Sequence, residues 1–222
     1  MSSNAEFTLS PDDALLRLKA GNERFIAGKA TFPTVQWEIM ADLAKGQRPY
    51  ATILCCSDSR VPPELIFNAS FGELFIIRVA GNVVSPEIAG SLQYAARHLC
   101  TPLFVVLGHT HCGAVAAAID TRLRGVRHHS RVQILVDSIL PGLAGLDLQL
   151  APDAMLAQAV EANVRWSIRQ IFDSVEARER QIEGHVKLVG AVYEIVTGRV
   201  RFLDTAPIPN ERSIPQHDRS NP

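Results

Sequence analysis

The chain has 222 residues, of which 47% are hydrophobic and 20% are charged, with 22 Lys and Arg against 23 Asp and Glu. This composition is typical of a folded globular protein and excludes a disordered chain. The net charge of −1 gives no electrostatic reason to expect nucleic acid or an anionic membrane as a partner. Because no apolar run approaches the roughly 18 residues of a membrane span and no signal-peptide pattern is visible, we expect a cytoplasmic protein.

The length favours a single domain over residues 1–222, since domains commonly hold roughly 100–200 residues. We expect an N-terminal helical arm at about 10–45 and an α/β core at about 50–205. The tail at 206–222 is rich in proline and poor in apolar residues, so we expect it to be extended or disordered.

The first predicted element is a helix that begins after the N-cap Ser10 and ends near Gly28. A loop over 31–49 follows, with a short helix at 37–43. Short apolar runs then predict three buried strands, at 52–56, 74–79 and 103–107. Between the second and third strands, Ser85 caps a predicted helix at 86–99.

The second half of the chain predicts further helices and a late strand hairpin. The helices are expected at 114–124, 131–140 and 154–172, and the strands at 186–196 and 200–203, around a turn at Thr197-Gly198. Strands that alternate with helices predict an α/β fold: a central, mostly parallel sheet flanked by helices, with the hairpin at its edge.

The two polar segments that follow the first and third strands carry the chemistry. The first reads CSDSR from Cys56 to Arg60, and the second reads GHTHCG from Gly108 to Gly113. In open α/β sheets the carboxyl ends of the strands form the ligand site. His109 and Cys112 are three residues apart and can share one face of a turn, whereas His111 cannot. With one thiolate from Cys56 they would form a Cys2His set suited to Zn²⁺.

The other two cysteines have a simpler explanation. Buried free cysteines usually behave as small hydrophobic residues, and Cys55 and Cys100 lie in apolar runs. Four cysteines are also too few for a disulfide framework in a chain of this length. We therefore interpret this pair as packing residues.

CSDSR followed about fifty residues later by GHTHCG resembles the β-class carbonic anhydrases, and the resemblance covers roughly Ser10 to Leu203. It implies that Cys56, His109 and Cys112 bind zinc, one ion per subunit. It also implies an Asp58–Arg60 dyad beside the metal. In this family the aspartate either pairs with the arginine or ligates zinc itself, and the sequence does not choose between these states.

The family resemblance implies a zinc lyase that reversibly hydrates CO₂ to bicarbonate and a proton through zinc-bound hydroxide. It also implies a homodimer or a multiple of dimers, tetramer or larger, in which the N-terminal helix clasps the neighbouring subunit. The residues that match the family's substrate-binding groups are an amide donor, a backbone N–H and an apolar lining: Gln47, Gly113, and Phe75, Ala80 and Tyr94.

One departure from the family and two alternative functions complete the sequence-based expectations. Many bacterial members have a bicarbonate pocket of tryptophan, arginine and tyrosine. Arg78 and Tyr193 match this pocket, but Ile53 replaces the tryptophan, so we expect no strong bicarbonate-locked state.

One alternative function is a hydrolase of carbonyl sulfide or carbon disulfide on the same zinc scaffold. The other is a non-catalytic zinc or redox-regulatory protein in which Asp58 permanently closes the metal.

Overall fold

A computed structural model describes residues 9–31, 37–173 and 184–204, so the predicted tail at 206–222 lies outside the described residues. Within these ranges five strands form one sheet in the order β2-β1-β3-β4-β5. The first four strands pair in parallel, and β5 pairs antiparallel with β4. The predicted α/β class with a mostly parallel sheet is confirmed. The strands are β1 Ala51–Cys55, β2 Leu74–Arg78, β3 Leu103–His109, β4 Lys187–Tyr193 and β5 Val200–Phe202.

Seven helices are present in the described ranges, together with two short 3₁₀ turns. The predicted caps form: Ser10 Oγ accepts from Asp13 N at 3.1 Å, and Ser85 Oγ accepts from Ile88 N at 3.4 Å. The helices are α1 Pro11–Ile26, α2 Trp37–Leu43, α3 Pro63–Ile66, α4 Pro86–Arg97, α5 Gly113–Arg124, α6 Val132–Ile139 and α7 Pro152–Phe172, and the turns are Ala80–Asn82 and Leu140–Leu143.

The sheet separates two buried apolar clusters because successive strand residues point to opposite faces. Ile53 and Cys55 belong to the cluster that contains residues of α1 and α3. Leu54 and Cys56 belong to the other cluster, which contains residues of α4 to α7. The two adjacent cysteines therefore face opposite sides of the sheet, and Cys55 packs in the core as predicted.

Two glycines allow α7 to approach the sheet closely. A Cβ at Gly108 in β3 would lie 2.6 Å from Val164 Cγ2, and one at Gly190 in β4 would lie 2.9 Å from Val164 Cγ1. Real Cβ atoms essentially never make contacts this short, so a side chain at either position would force Val164 to shift. The backbone of β3 just before His109 is thereby packed directly against α7.

The differences from the sequence-based prediction include the ends of two elements and one short additional helix. The strand predicted to run to residue 196 ends at Tyr193, because Glu194 N donates to Arg199 O and its carbonyl accepts from Gly198 N in a tight turn. The helix predicted to run to residue 99 ends at Arg97. The four-residue helix α3 was not predicted, since it is little longer than one helical turn and cannot show a repeating apolar pattern.

None of the helices in the described ranges is long and apolar enough to cross a membrane. The cytoplasmic location expected from the sequence stays a prediction.

Candidate metal centre

The carboxyl ends of two neighbouring strands bring three metal-ligating side chains together. Cys56 follows β1, His109 is the last residue of β3, and Cys112 is the residue before α5. Each offers a ligand atom, and these atoms lie within 4.8 Å of one another. The His109 side chain is fully buried, and Cys56 and Cys112 are 5% and 1% exposed. The structure thus brings together the residues that the spacing selected.

The His109 ring is oriented by its neighbour in the chain. Its Nδ1 lies 2.9 Å from the Thr110 carbonyl oxygen, so this nitrogen carries the hydrogen and Nε2 keeps its lone pair. Nε2 is buried and has no hydrogen-bond partner among the described residues. A buried acceptor without a partner is costly, and a metal ion would satisfy it.

The two cysteine sulfurs share a hydrogen bond, and their pKa values move in opposite directions. The hydrogen bond from Cys112 lowers the pKa of Cys56 well below its ordinary value, against the effect of burial. The His109 side chain and the backbone N–H groups of Gly81 and Asp58 act in the same direction. The same pairing, together with burial, raises the pKa of the Cys112 thiol well above its ordinary value. The pairing thus favours the thiolate form at Cys56, which is the form that binds metal.

The first turn of α5 supports the second sulfur. The backbone N–H groups of Ala114 and Val115 donate to the Cys112 sulfur, and they act to lower its pKa. Amides at a helix N-terminus stabilise negative charge, so a metal that displaced the shared proton would leave both thiolates with donors. Two sulfurs and one imidazole nitrogen could therefore hold a metal ion.

An aspartate–arginine pair lies beside this cluster. Arg60 Nε donates to Asp58 Oδ1 at 2.9 Å, and Arg60 Nη2 donates to Oδ2 at 2.7 Å. The Arg60 backbone N–H also donates to Oδ1 at 2.9 Å. These hydrogen bonds hold the pKa of Asp58 well below its usual range. Asp58 Oδ2 lies 3.9 Å from His109 Nε2, so this carboxylate lies next to the candidate ligands.

Two arginines also fix the backbone around the centre. Arg78 at the end of β2 donates to Asp58 O at 2.8 Å and to Cys56 O at 3.3 Å. Arg60 Nη2 donates to the carbonyl of His111, a residue held at φ 56°, at 3.3 Å. The two loops that carry the candidate ligands are thus joined by side-chain to backbone hydrogen bonds. The Arg78 guanidinium contacts backbone carbonyls here, while Ile53 is fully buried on the α1 side of the sheet.

The predicted substrate-binding residues occupy more open positions. Phe75 packs against the cluster that contains Cys56 and Cys112, and its ring centroid lies 6.1 Å from that of Tyr94. Tyr94 is 47% exposed, so it is not a core residue. Ala80 is half-buried in its 3₁₀ turn. Gln47 lies exposed between α2 and β1, and Gly113 lies exposed at the first position of α5.

The sequence-based interpretation gave no role to two residues that bear on the centre, although the segment 80–82 lies at the end of a predicted strand. Gly81 N lies 3.4 Å from the Cys56 sulfur, and the Gly81 carbonyl accepts from Asn163 Nδ2 of α7 at 2.8 Å. The dipeptide Gly81-Asn82 after β2 was a usable signal, because both residue types favour the left-handed conformation found there. Asn163 gave no such signal, since its partner lies 82 residues away.

The fold and the cluster define an α/β protein with a candidate cysteine–histidine metal centre beside an ionised aspartate. Comparison with known proteins narrows this class. A family model described as carbonic anhydrase matches residues 51–200. Carbonic anhydrase 2 of Mycobacterium tuberculosis is 36% identical over 197 residues, which are 88% of this chain and 94% of the relative. The carbonic anhydrase of Mycolicibacterium smegmatis is 34% identical over 198 residues, covering 87% and 93%.

Solved structures agree with the sequence relatives. A β-carbonic anhydrase of Sordaria macrospora, described as tetrameric, superposes with a TM-score of 0.70 at 25% identity, covering 76% of this chain and 87% of that one. The β-carbonic anhydrase CafA of Aspergillus fumigatus gives a TM-score of 0.69 at 29% identity, covering 76% and 82%. The chain belongs to the carbonic anhydrase family, in its β class.

Proposed function

We propose that this enzyme catalyses the zinc-dependent, reversible hydration of CO₂ to bicarbonate and a proton, with one zinc per chain held by Cys56, His109 and Cys112. The observation that carries the proposal is the buried His109 Nε2, which lacks a partner among the described residues and lies against two cysteine sulfurs. Two thiolates and one imidazole form a ligand set that catalytic zinc sites use, with one position left for water or substrate. When bound, zinc supplies a Lewis acid that lowers the pKa of water and so makes hydroxide available near neutral pH.

Asp58 is proposed to set the orientation of the attacking oxygen. Because Arg60 keeps the pKa of Asp58 low, its carboxylate can only accept hydrogen bonds at neutral pH. It would therefore accept a hydrogen bond from a water or hydroxide at the centre. That hydrogen bond would leave a lone pair of the oxygen directed at the carbon of CO₂. The pairing with Arg60 also favours catalysis over the alternative in which Asp58 permanently closes the metal.

The remaining predicted site residues are proposed to bind the substrate. The side-chain amide of Gln47 and the backbone N–H of Gly113 would donate to the oxygen atoms of CO₂, where negative charge develops during attack. Phe75, Ala80 and Tyr94 would supply the apolar lining that a neutral gas requires.

We also propose that the chain functions as a homodimer or a multiple of dimers, a tetramer or larger. Two large apolar side chains in the N-terminal part are open to solvent in the single chain: Leu16 on α1 is 62% exposed and Trp37 at the start of α2 is 87% exposed. Exposed apolar residues of this size favour an interface. The tetrameric relative from Sordaria macrospora supports the same assembly.

The direct test of the ligand assignment compares two cysteine variants. We expect Cys112→Ser to lose most of its zinc and at least about 10²-fold of its CO₂ hydration rate in stopped-flow assays, because a buried ligand is removed. Cys100→Ser is the matched control, since Cys100 lies in the turn after α4 and should keep both zinc and rate. Equal zinc content and activity in the two variants would overturn the assignment.

A further inference from the structure

A network of buried polar groups connects α7 to the sulfur of Cys56. The contact with the sulfur comes from the 3₁₀ turn Ala80–Asn82, whose Gly81 N lies 3.4 Å from Cys56 Sγ. This donor belongs to a different element from Cys56 itself, 25 residues along the chain. The position of the turn therefore decides whether the sulfur receives this hydrogen bond.

The turn is left-handed at two successive residues, and its surroundings contact it on several sides. Gly81 has φ 73° and ψ 16°, and the next residue, Asn82, has φ 44°. A left-handed residue other than glycine is uncommon and persists where its surroundings hold it. A Cβ at Gly81 would lie 2.8 Å from Ile139 Cδ1 and 3.1 Å from Ala114 Cβ, so the turn is also packed against α6 and the start of α5.

Two polar side chains of α7 hold the turn from the other side. Asn163 Nδ2 donates to Gly81 O at 2.8 Å, and Ser167 Oγ lies 2.9 Å from Asn82 O and accepts from Asn82 Nδ2 at 3.4 Å. Asn163 and Ser167 are four residues apart and share one face of the helix. Asn163, Ser167 and Asn82 are each at most 1% exposed.

The hydrogen bonding of the Asn163 side chain indicates a role beyond stability. Its Oδ1 is buried without a partner among the described residues, so the amide is only half satisfied. An apolar side chain would fill this place at no such cost, and buried polar groups that are incompletely paired are costly. Among the described residues, the Asn163 side chain donates to the carbonyl oxygen of Gly81, and the N–H of this same residue faces the sulfur of Cys56.

A hydrogen bond to a ligating thiolate withdraws electron density from the sulfur. Groups that contact the ligands in this way orient them and change metal affinity, typically by about 10- to 100-fold. We propose that Asn163 and Ser167 are positioning residues that fix the Gly81 N–H against the sulfur of Cys56 and thereby set how strongly this sulfur donates to the metal. The inference rests on the proposed metal centre. It adds that residues of α7 influence how strongly the centre binds its metal.

The test uses the full-length protein loaded with Co²⁺, whose thiolate-to-cobalt charge-transfer band reports electron donation by sulfur. In Asn163→Leu we expect this band to move to lower energy, because the sulfur loses a donor and becomes more electron-rich. Release of Co²⁺ and Zn²⁺ to a competing chelator should show an affinity about 10- to 100-fold weaker than in the wild type, because the ligand also loses the contact that orients it, and this loss outweighs the stronger donation by sulfur. Ser167→Ala should move the band in the same direction by a smaller amount, and it serves in place of Asn163→Leu if that variant does not fold.

Met155→Ala is the matched control. Met155 lies on α7, about two turns before Asn163, and is 7% exposed. It belongs to the apolar cluster that also contains Cys56. It should lower thermal stability without moving the band or the metal affinity. If neither Asn163→Leu nor Ser167→Ala moves the band, or if Met155→Ala moves it equally, the positioning role is wrong and the metal centre stands. If the wild type itself gives no thiolate-to-cobalt band, the metal centre fails and the inference fails with it.

Discussion

At the scale of single residues, Asp58 is held at both its side chain and its backbone. Its carboxylate accepts three hydrogen bonds from Arg60, and its carbonyl accepts from Arg78. The fork of a guanidinium matches a carboxylate in two parallel bonds, which fixes direction as well as charge. We therefore assign to Arg60 the orientation of Asp58 rather than contact with the substrate.

Arg60→Gln tests this role. It should lower kcat/KM for CO₂ hydration by about 10²-fold, because the Asp58 carboxylate loses the bonds that aim it. The pKa of Asp58 should rise towards the ordinary value of about 3.9, which is still far below neutral. The carboxylate thus remains ionised in the variant, and the ratio of wild-type to variant activity should be constant from pH 6.5 to 9.

The control for Arg60→Gln is Arg199→Gln. Arg199 forms an exposed ion pair with Glu23 at 3.2 Å, and removing such a pair should leave activity unchanged. A ratio that varied strongly across this pH range would show that Arg60 acts through the charge state of a titrating group instead. An unchanged rate in Arg60→Gln would remove Asp58 orientation from the account.

Sequence spacing predicted the ligand cluster better than it predicted the state of Asp58. Cys56, His109 and Cys112 follow from two local motifs at adjacent strand ends, where parallel topology brings them together. Whether Asp58 faces Arg60 or the metal depends on side-chain angles, which the order of residues does not determine. The Gly81 contact depends on how α7 packs, which is a long-range property of the fold.

At the scale of elements, one buried asparagine connects α1 to two other parts of the chain. Asn22 Nδ2 donates to Ile66 O of α3 at 3.1 Å and to Gly198 O at 2.9 Å, and Asn22 Oδ1 accepts from Val200 N at 2.9 Å. The side chain is 3% exposed. The N-terminal helix therefore packs on its own chain through a polar contact as well as through Ala14 and Leu18.

Asn22→Ala should reduce the free energy of unfolding by about 3 kcal/mol, because three buried backbone groups lose their partner. Urea unfolding of zinc-loaded protein at fixed concentration measures this change. The neighbouring Glu23→Ala removes only an exposed ion pair and should cost no more than about 1 kcal/mol. Equal losses in the two variants would show that the Asn22 contacts do not hold α1 in place.

Most elements were predictable because their signals are local. The caps Ser10 and Ser85 and the apolar spacing of α7 fixed the helix positions to within about two residues. The exceptions were elements without a local signal. Helix α3 is too short to show periodicity. Strand β4 ends at Tyr193, where the backbone turns, although Ile195 and Val196 beyond Glu194 are apolar.

At the scale of the whole molecule, α1 has a second side that the described residues leave exposed. While Leu18 is fully buried against the chain's own core, Leu16 on the same helix is exposed, and so is Trp37 at the start of α2. The clasp expected from the sequence requires such residues to contact a second chain. The proposed dimer thus assigns the two faces of α1 to two different chains.

Leu16→Glu should weaken this association by at least about tenfold in Kd, since burying a charge in an apolar contact costs more than the roughly 1.4 kcal/mol that a tenfold change represents. Sedimentation velocity over a range of protein concentrations measures the change. Val196→Glu is the matched control, because it introduces the same charge at an apolar side chain that is 86% exposed in the turn after β4. If Leu16→Glu sediments as the wild type does, α1 is not part of the interface.

The central claim is that CO₂ hydration depends on zinc at the Cys56–His109–Cys112 cluster. The most direct measurement removes the metal with a chelator, restores it in steps, and follows zinc content and stopped-flow CO₂ hydration on the same samples. We predict that the chelated protein loses its activity and that activity returns in proportion to zinc up to one ion per chain. Full activity in the zinc-free protein, or one bound zinc per chain without CO₂ hydration, would contradict the account.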